Sequence, residues 1–185
     1  MHIRSPLRLH AQRSALWVID LQEKLCPVIP GAHQVEAQVL RLITAANLLS
    51  IPTAATVQYP KGLGTLIPSL REHLTQPEEK VEFSAAVCRD NLELWMKSGR
   101  DQIVVTGIES HICVLQTVLD LLAEGLRPYV IADAIAARRE SDHEVALARM
   151  RDAGATILSA ESALFEWLGT ADRPEFKAIS RLVKG

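Results

Sequence analysis

The chain reads as an α/β protein, a three-layer α/β/α sandwich built on a six-stranded, mainly parallel, Rossmann-like sheet. Three observations predict this. Short apolar runs without polar alternation recur along the chain, as expected of strands buried on both faces. Segments with apolar residues at three- and four-residue spacing follow them, as expected of helices with one buried stripe. The two patterns alternate through 185 residues of 48% hydrophobic content, enough for one domain with a substantial core.

Residues 1–14 read as an N-terminal extension and 15–185 as the single domain. Ala15 to Ile19 is the first strand, ending in the polar Asp20. A loop with Pro27, Pro30 and Gly31 leads to a helix marked by Val35, Val39, Leu42, Ile43, Ala46 and Leu49, which Ile51-Pro52 stops. Thr53 to Gln58 is the second strand, followed by the turn-rich loop Tyr59 to Gly64. Glu79 to Phe83 reads as a third strand containing Lys80, and Asn91 to Lys97 as a helix closed by Ser98-Gly99. Gln102 to Thr106 is the fourth strand. The helix Ser110 to Glu124 comes next, its core face Leu115, Val118, Leu119 and Leu122 and its polar stripe Gln116, Thr117, Asp120 and Glu124. Tyr129 to Ala132 is the fifth strand. Ser141 with Glu144 reads as a capping box opening a helix that Gly154 closes, and Thr156 to Leu158 is the sixth strand. Helical patterns from Glu161 to Leu168 and Pro174 to Val183 finish the chain.

Composition excludes several classes of function. A net charge of −2 with interspersed signs provides no general attraction for nucleic acid or anionic membrane. The N-terminus carries His2, Arg4, Arg8, His10 and Arg13 but no apolar run of signal-peptide length, and no later run approaches a membrane span. A cytoplasmic location is the default expectation. Three scattered cysteines, Cys26, Cys88 and Cys113, form neither a disulfide framework nor a CxxC pair, so reduced thiols are expected.

In parallel sheets, sites form at the C-terminal ends of strands. That rule selects Asp20 after the first strand, Cys113 at the start of the helix after the fourth, and Asp133 after the fifth, with Lys80 near the third. A thiol at a helix N-terminus meets unpaired N–H groups and the positive end of the helix dipole, which favour the thiolate. A carboxylate can serve as general base and an ammonium can steady both partners, so Asp, Lys and Cys make a workable acyl-transfer set. Taken singly, each residue has a plainer reading. Cys113 packs as a small hydrophobe, Asp20 and Asp133 cap loops, and Lys80 belongs to a solvated charge cluster with Glu78 and Glu79. His111 is then a first-turn helix residue, Tyr59 and Phe83 are core, and Arg138-Arg139 make surface salt bridges.

Three ordered motifs carry more than the single residues: Val18-Ile19-Asp20-Leu21-Gln22, Lys80-Val81-Glu82-Phe83-Ser84, and Gly107-Ile108-Glu109-Ser110-His111-Ile112-Cys113-Val114. From about Ala15 to Leu168 the chain resembles the isochorismatase-like cysteine hydrolase superfamily. The loop Gln58 to Gly64 and the segment Val130-Ile131-Ala132-Asp133-Ala134 look closest to its YcaC-related, isochorismatase-domain-containing subgroup. The resemblance implies Cys113 as nucleophile, Asp20 as general base and Lys80 as supporting cation. It also implies an oxyanion site from the backbone N–H groups of Glu109 and Cys113, a cis peptide at Ile108-Glu109, and Gln22, Tyr59 and Phe83 as substrate-binding residues. The expected activity is hydrolysis of a small-molecule amide or related C–N bond through a thioester. A homo-oligomer, dimer or larger, is expected, with the apolar Phe165, Trp167 and Leu168 offering a contact surface.

Departures from the wider family narrow this. Metal-containing relatives carry Asp-x-His after the second strand, where this chain has Gln58-Tyr59-Pro60. His33, His73, His111 and His143 have no metal-ligand spacing, so neither metal nor other cofactor is expected. Leu25 stands where many relatives place an aromatic ring, which weakens ring-stacking recognition at that point. Isochorismatases proper lack the cysteine, so vinyl-ether hydrolysis is not expected. The rival from another class is a noncatalytic or redox-responsive oligomeric protein that retains the fold and the thiol.

Overall fold

Alternating burial in the first strand divides the core in two. In the computed structural model, Leu16 and Val18 of β1 (Ser14–Ile19) face one apolar layer, and Ala15, Trp17 and Ile19 face the other. The structure describes residues 3–184; Met1, Gly185 and His2, one of the basic residues noted near the N-terminus, lie outside the described residues. The first layer holds α1 (Ala32–Leu48), α7 (Ala160–Leu168) and Ile179 of α8 (Phe176–Lys184). The second holds α4 (Arg89–Lys97), α5 (Leu115–Ala123) and α6 (Glu140–Asp152), with Trp95 of α4 edge-on to Trp17 at 5.5 Å between ring centres. Two short helices, α2 (Pro60–Leu63) and α3 (Pro68–Arg71), complete the eight α-helices among the described residues.

Between the layers lies a six-stranded sheet in the order β3-β2-β1-β4-β5-β6, every pairing parallel. The other strands are β2 (Thr53–Gln58), β3 (Glu78–Lys80), β4 (Gln102–Ile108), β5 (Arg127–Ala136) and β6 (Thr156–Leu158). The order reverses between β1 and β4, which opens a crevice at their C-terminal ends. Gly107 makes the close approach there possible. Its φ is +115°, and a Cβ would lie 1.9 Å from the Ile19 carbonyl oxygen, so no larger residue fits.

Several elements depart from the sequence expectation for physical reasons. The third strand stops at Lys80 instead of Phe83, because the Lys80 ammonium draws in the carbonyls of Glu82 and Phe83 and curls the chain. The fifth strand runs on to Ala136 past a shift in its pairing with β4. The expected capping box is absent: α6 begins at Glu140, its N-cap Arg139 has no side-chain cap bond, and Ser141 is already helical. The helix expected from Ser110 opens as a π-helical turn, Ser110–Val114, before α5. Thr117, expected on the polar stripe, is fully buried.

The N-terminal segment is stitched to the domain rather than splayed from it. Leu9 is buried and its N–H donates to Glu166 Oε2 at 2.6 Å, while Tyr129 Oη donates to the Leu7 carbonyl at 2.9 Å. Trp167 and Leu168 are buried in the protein's own core, which leaves Phe165 alone of the expected contact trio partly exposed. No helix among the described residues is long and apolar enough to cross a membrane.

Candidate active site

Asp20, Lys80 and Cys113 converge at the crevice between β1 and β4. Asp20 leaves β1 with a left-handed φ of +53° and a fully buried side chain. One carboxylate oxygen accepts from Thr56 Oγ1 at 2.8 Å and the other from Lys80 Nζ at 2.6 Å. Lys80 is equally enclosed, and Nζ also donates to Gln58 Oε1 at 2.8 Å, Phe83 O at 3.0 Å and Glu82 O at 3.3 Å. Every partner is an acceptor, which is the surrounding an ammonium requires once it leaves water. The solvated charge cluster is therefore excluded for Lys80.

Cys113 comes from the π-helical turn and is 6% exposed. Its sulfur lies within hydrogen-bonding reach of the Asp20 carboxyl and of the Glu109 backbone N–H. Burial pushes the thiol up to about 12, Asp20 pushes the same way, and Lys80 opposes both. This corrects the expectation of a resting thiolate. Removal from water and a neighbouring anion outweigh the cation and the start of the helix, so the thiol keeps its proton at pH 7 with a carboxylate beside it.

The loop that presents Glu109 is held from several sides. The Ile108-Glu109 peptide is cis, and Ile108 pairs with Ala136 of β5. Glu109 Oε2 accepts from the Arg138 backbone N–H at 3.1 Å and from Arg138 Nε at 3.0 Å. Thr117 Oγ1 donates to the Cys113 carbonyl at 2.6 Å and accepts from the Ala85 N–H at 2.7 Å, which joins the helix that carries Cys113 to the segment after Lys80. Residue-by-residue reading of the sequence did not pick out Thr56, Gln58, Thr117 or Ser110 for this setting.

The expected substrate-binding residues separate. Gln22 is fully buried; its amide donates to Gln58 O and Gly64 O at 2.9 and 2.6 Å and its oxygen accepts from the Gln58 N–H at 2.7 Å. With both donors committed to the backbone it clamps two loops together. Tyr59 is exposed, with φ +39°, and borders a cavity of about 570 Å³ beside Lys80 and Glu82. Phe83 is also exposed; its carbonyl serves Lys80 while its ring faces outward, so neither ring is core. Asp133 Oδ1 accepts from the Ala160 N–H at 2.7 Å and caps α7. Among the described residues no three His, Cys, Asp or Glu side chains gather in a way that could hold a metal.

A doubly wound parallel sheet with a polar cluster at its switch point defines an α/β protein whose ligand site lies outside the carboxyl ends of the strands. Residues 14–162 match the isochorismatase domain, and the chain belongs to that hydrolase family. It is 39% identical over 171 residues to isochorismatase domain-containing protein 2 of Bos taurus, covering 92% of this chain and 83% of the relative. The solved structure described as MAR1 ribonuclease from Caenorhabditis elegans is 39% identical and superposes with a TM-score of 0.90, covering 96% of this chain and 93% of its own. YcaC of Escherichia coli, described as an octameric hydrolase of unknown specificity, is 22% identical with a TM-score of 0.86, covering 97% and 91%; it supports the fold.

Proposed function

We propose that the protein is a metal-independent cysteine hydrolase of a small uncharged amide or related C–N bond, acting through a thioester. The observation that carries this is the placement of the Cys113 thiol within reach of a carboxylate whose two oxygens are already held by Lys80 and Thr56. A carboxylate so held still has a free lone pair on each oxygen with which to take a proton. As sulfur attacks the carbonyl carbon, the thiol proton passes to Asp20 and the carbonyl π pair moves to oxygen. The backbone N–H of Glu109, with that of Cys113, meets the oxyanion. Collapse breaks the C–N bond, and the departing amine takes the proton from Asp20. Water then attacks the thioester with Asp20 again as base, releasing the acid and restoring the thiol. Lys80 stays charged throughout and keeps the carboxylate in place.

Features outside the chemical centre bear on the alternatives. A redox-responsive thiol calls for an exposed, ionised sulfur, whereas Cys113 is buried and pushed up to about 12. RNA, which the name of the Caenorhabditis elegans relative raises, calls for a basic groove, whereas the net charge is −2 and Glu79 and Glu82 balance Lys61 and Lys80 around the cavity. Cys26, Cys88 and Cys113 are all unpaired, which fits the reducing cytoplasm. A homo-oligomer fits the exposed apolar residues Val81, Phe83 and Val87 around the Lys80 loop.

The test is ammonia or amine release from a broad panel of small amides by the wild type and by Cys113→Ala. The reading expects at least one amide whose hydrolysis depends on the cysteine. A panel in which no member shows that dependence would sink it.

A further inference from the structure

A second polar couple flanks the loop on the side away from Lys80. Ser110 is fully buried directly after the cis peptide, and its Oγ lies 3.3 Å from His143 Nδ1 of α6. That ring is the one partner of the hydroxyl among the described residues. A buried hydroxyl needs an acceptor for its proton, and a neutral imidazole has one to offer. Burial is the largest influence on His143 and lowers it from 6.5 against the pull of Glu144 and Glu140, so the ring is neutral at pH 7. Ser110 Oγ–H therefore donates to Nδ1, and the ring's own proton is placed on Nε2.

Nε2 has no hydrogen-bond partner among the described residues, and His143 borders a cavity of about 440 Å³. Pro30, Ile135, Ala136 and Ala137 form its apolar wall, and Arg138 and Glu140 edge it with opposite charges. Arg138 pairs with Glu109 through Nε and Glu140 stands at the same rim, so the rim carries no net positive charge to draw a carboxylate. Its lining adjoins the loop that carries Glu109: Ile135 and Ala136 pair with Gly107 and Ile108, and Arg138 pairs with the Glu109 carboxylate.

We propose that His143 is a specificity-determining residue whose Nε2–H donates to an uncharged acceptor at the non-reacting end of the substrate, lodged in the cavity between β5 and α6. The substrate class is then a neutral amide with a short apolar chain ending in a carbonyl, ether or ring-nitrogen acceptor. The inference rests on the hydrolase reading for the location of the reacting end, but its test does not require turnover.

Binding of 4-oxopentanamide, pentanamide and succinamate to the Cys113→Ala protein, measured by calorimetry, separates the possibilities. The three share a length and differ at the far end in a ketone, a methyl group and a carboxylate. The ketone is expected to bind about five- to tenfold more tightly than either of the others, as for one hydrogen bond. Adding His143→Leu is expected to erase the preference over pentanamide, and His143→Gln, which keeps a donor, to restore part of it. Equal or tighter binding of succinamate, a ketone preference that survives His143→Leu, or no saturable binding of the ketone overturns the inference. Should His143→Leu fail to fold, His143→Phe takes its place with the same expectation. A protein that binds with this preference and hydrolyses nothing keeps the inference and loses the hydrolase reading.

Discussion

Cys113 and Cys88 sit in the same apolar layer and are both buried and unpaired. Both thiols are pushed up to about 12, first by burial, and both feel Asp20 raising them and Lys80 opposing. Burial moves both the same way. The difference is that Cys113 alone has the Asp20 carboxyl and the Glu109 N–H within hydrogen-bonding reach, while Cys88 feels Glu78 more strongly than either member of the ion pair. What separates the two thiols in this protein is a neighbouring proton acceptor, not a lowered pKa.

That comparison breaks most directly at the sulfur atoms. Cys113→Ala is expected to lower turnover of any accepted amide by about 10⁴-fold or more, as removal of other nucleophiles does. Cys88→Ala is expected to stay within about threefold, because that sulfur touches no reacting atom. Steady-state rates on one substrate check both, and comparable losses would erase the distinction.

The next largest effect lies at the ion pair. Lys80→Met leaves the Asp20 carboxylate buried without its cation, so a stability loss of about 3–5 kcal/mol is expected in urea unfolding. Asp20→Asn keeps partners for Thr56 and Lys80, and is expected to abolish turnover with the smaller stability loss of the two. An active Asp20→Asn protein would remove the base from the scheme.

High pH sharpens the likeness instead of the difference. The unfolded thiols ionise near 9.0 and the folded Cys88 and Cys113 near 12, so the unfolded chain sheds protons first. Stability is full below pH 9.0 and is lost as the pH rises towards about 12, by up to about 4 kcal/mol per thiol. Unfolding midpoints across that window should fall less steeply in Cys88→Ala than in the wild type. Cys26, pushed up to about 11, contributes in the same direction.

Thr117 supplies the smallest effect. Its hydroxyl bridges the Cys113 carbonyl and the Ala85 N–H, tying together the segments that carry the two thiols. Thr117→Val leaves the buried Ala85 donor unmatched, at a cost of about 1–3 kcal/mol. Hydrogen exchange at Ala85 should accelerate while the rest of α5 keeps its protection.

What could be read from the sequence depended on how far apart the interacting groups lie. β1 and β4 are unbroken apolar runs, and the helices of both layers show their buried stripes, so a parallel α/β sheet was legible without coordinates. Glu79 to Phe83 resembled a strand throughout because pattern registers side chains, whereas a lysine ammonium gathering carbonyls two and three residues ahead ends the strand. Ser141 and Glu144 had capping-box spacing, yet α6 had already begun one residue before Ser141. At the site, the three motifs pointed to Asp20, Lys80 and Cys113. The charge state of the thiol was not legible, because it depends on burial and a carboxylate 93 positions away in the numbering of Asp20 and Cys113. Ser110 and His143, 33 residues apart, carry no shared pattern; only the packing of α6 against the π-helical turn joins them.

The Lys80 ammonium neutralises a carboxylate and also fixes the carbonyls of Glu82 and Phe83. The loop backbone is thus wound on the same atom that holds the Asp20 carboxylate, while the Val81 and Phe83 side chains point outward and are 68% and 53% exposed. Heritable change in this rim is channelled accordingly. Side chains at 81 and 83 can change without disturbing the Lys80 ammonium, but the course of the main chain beneath them cannot drift without loosening its hold on Asp20.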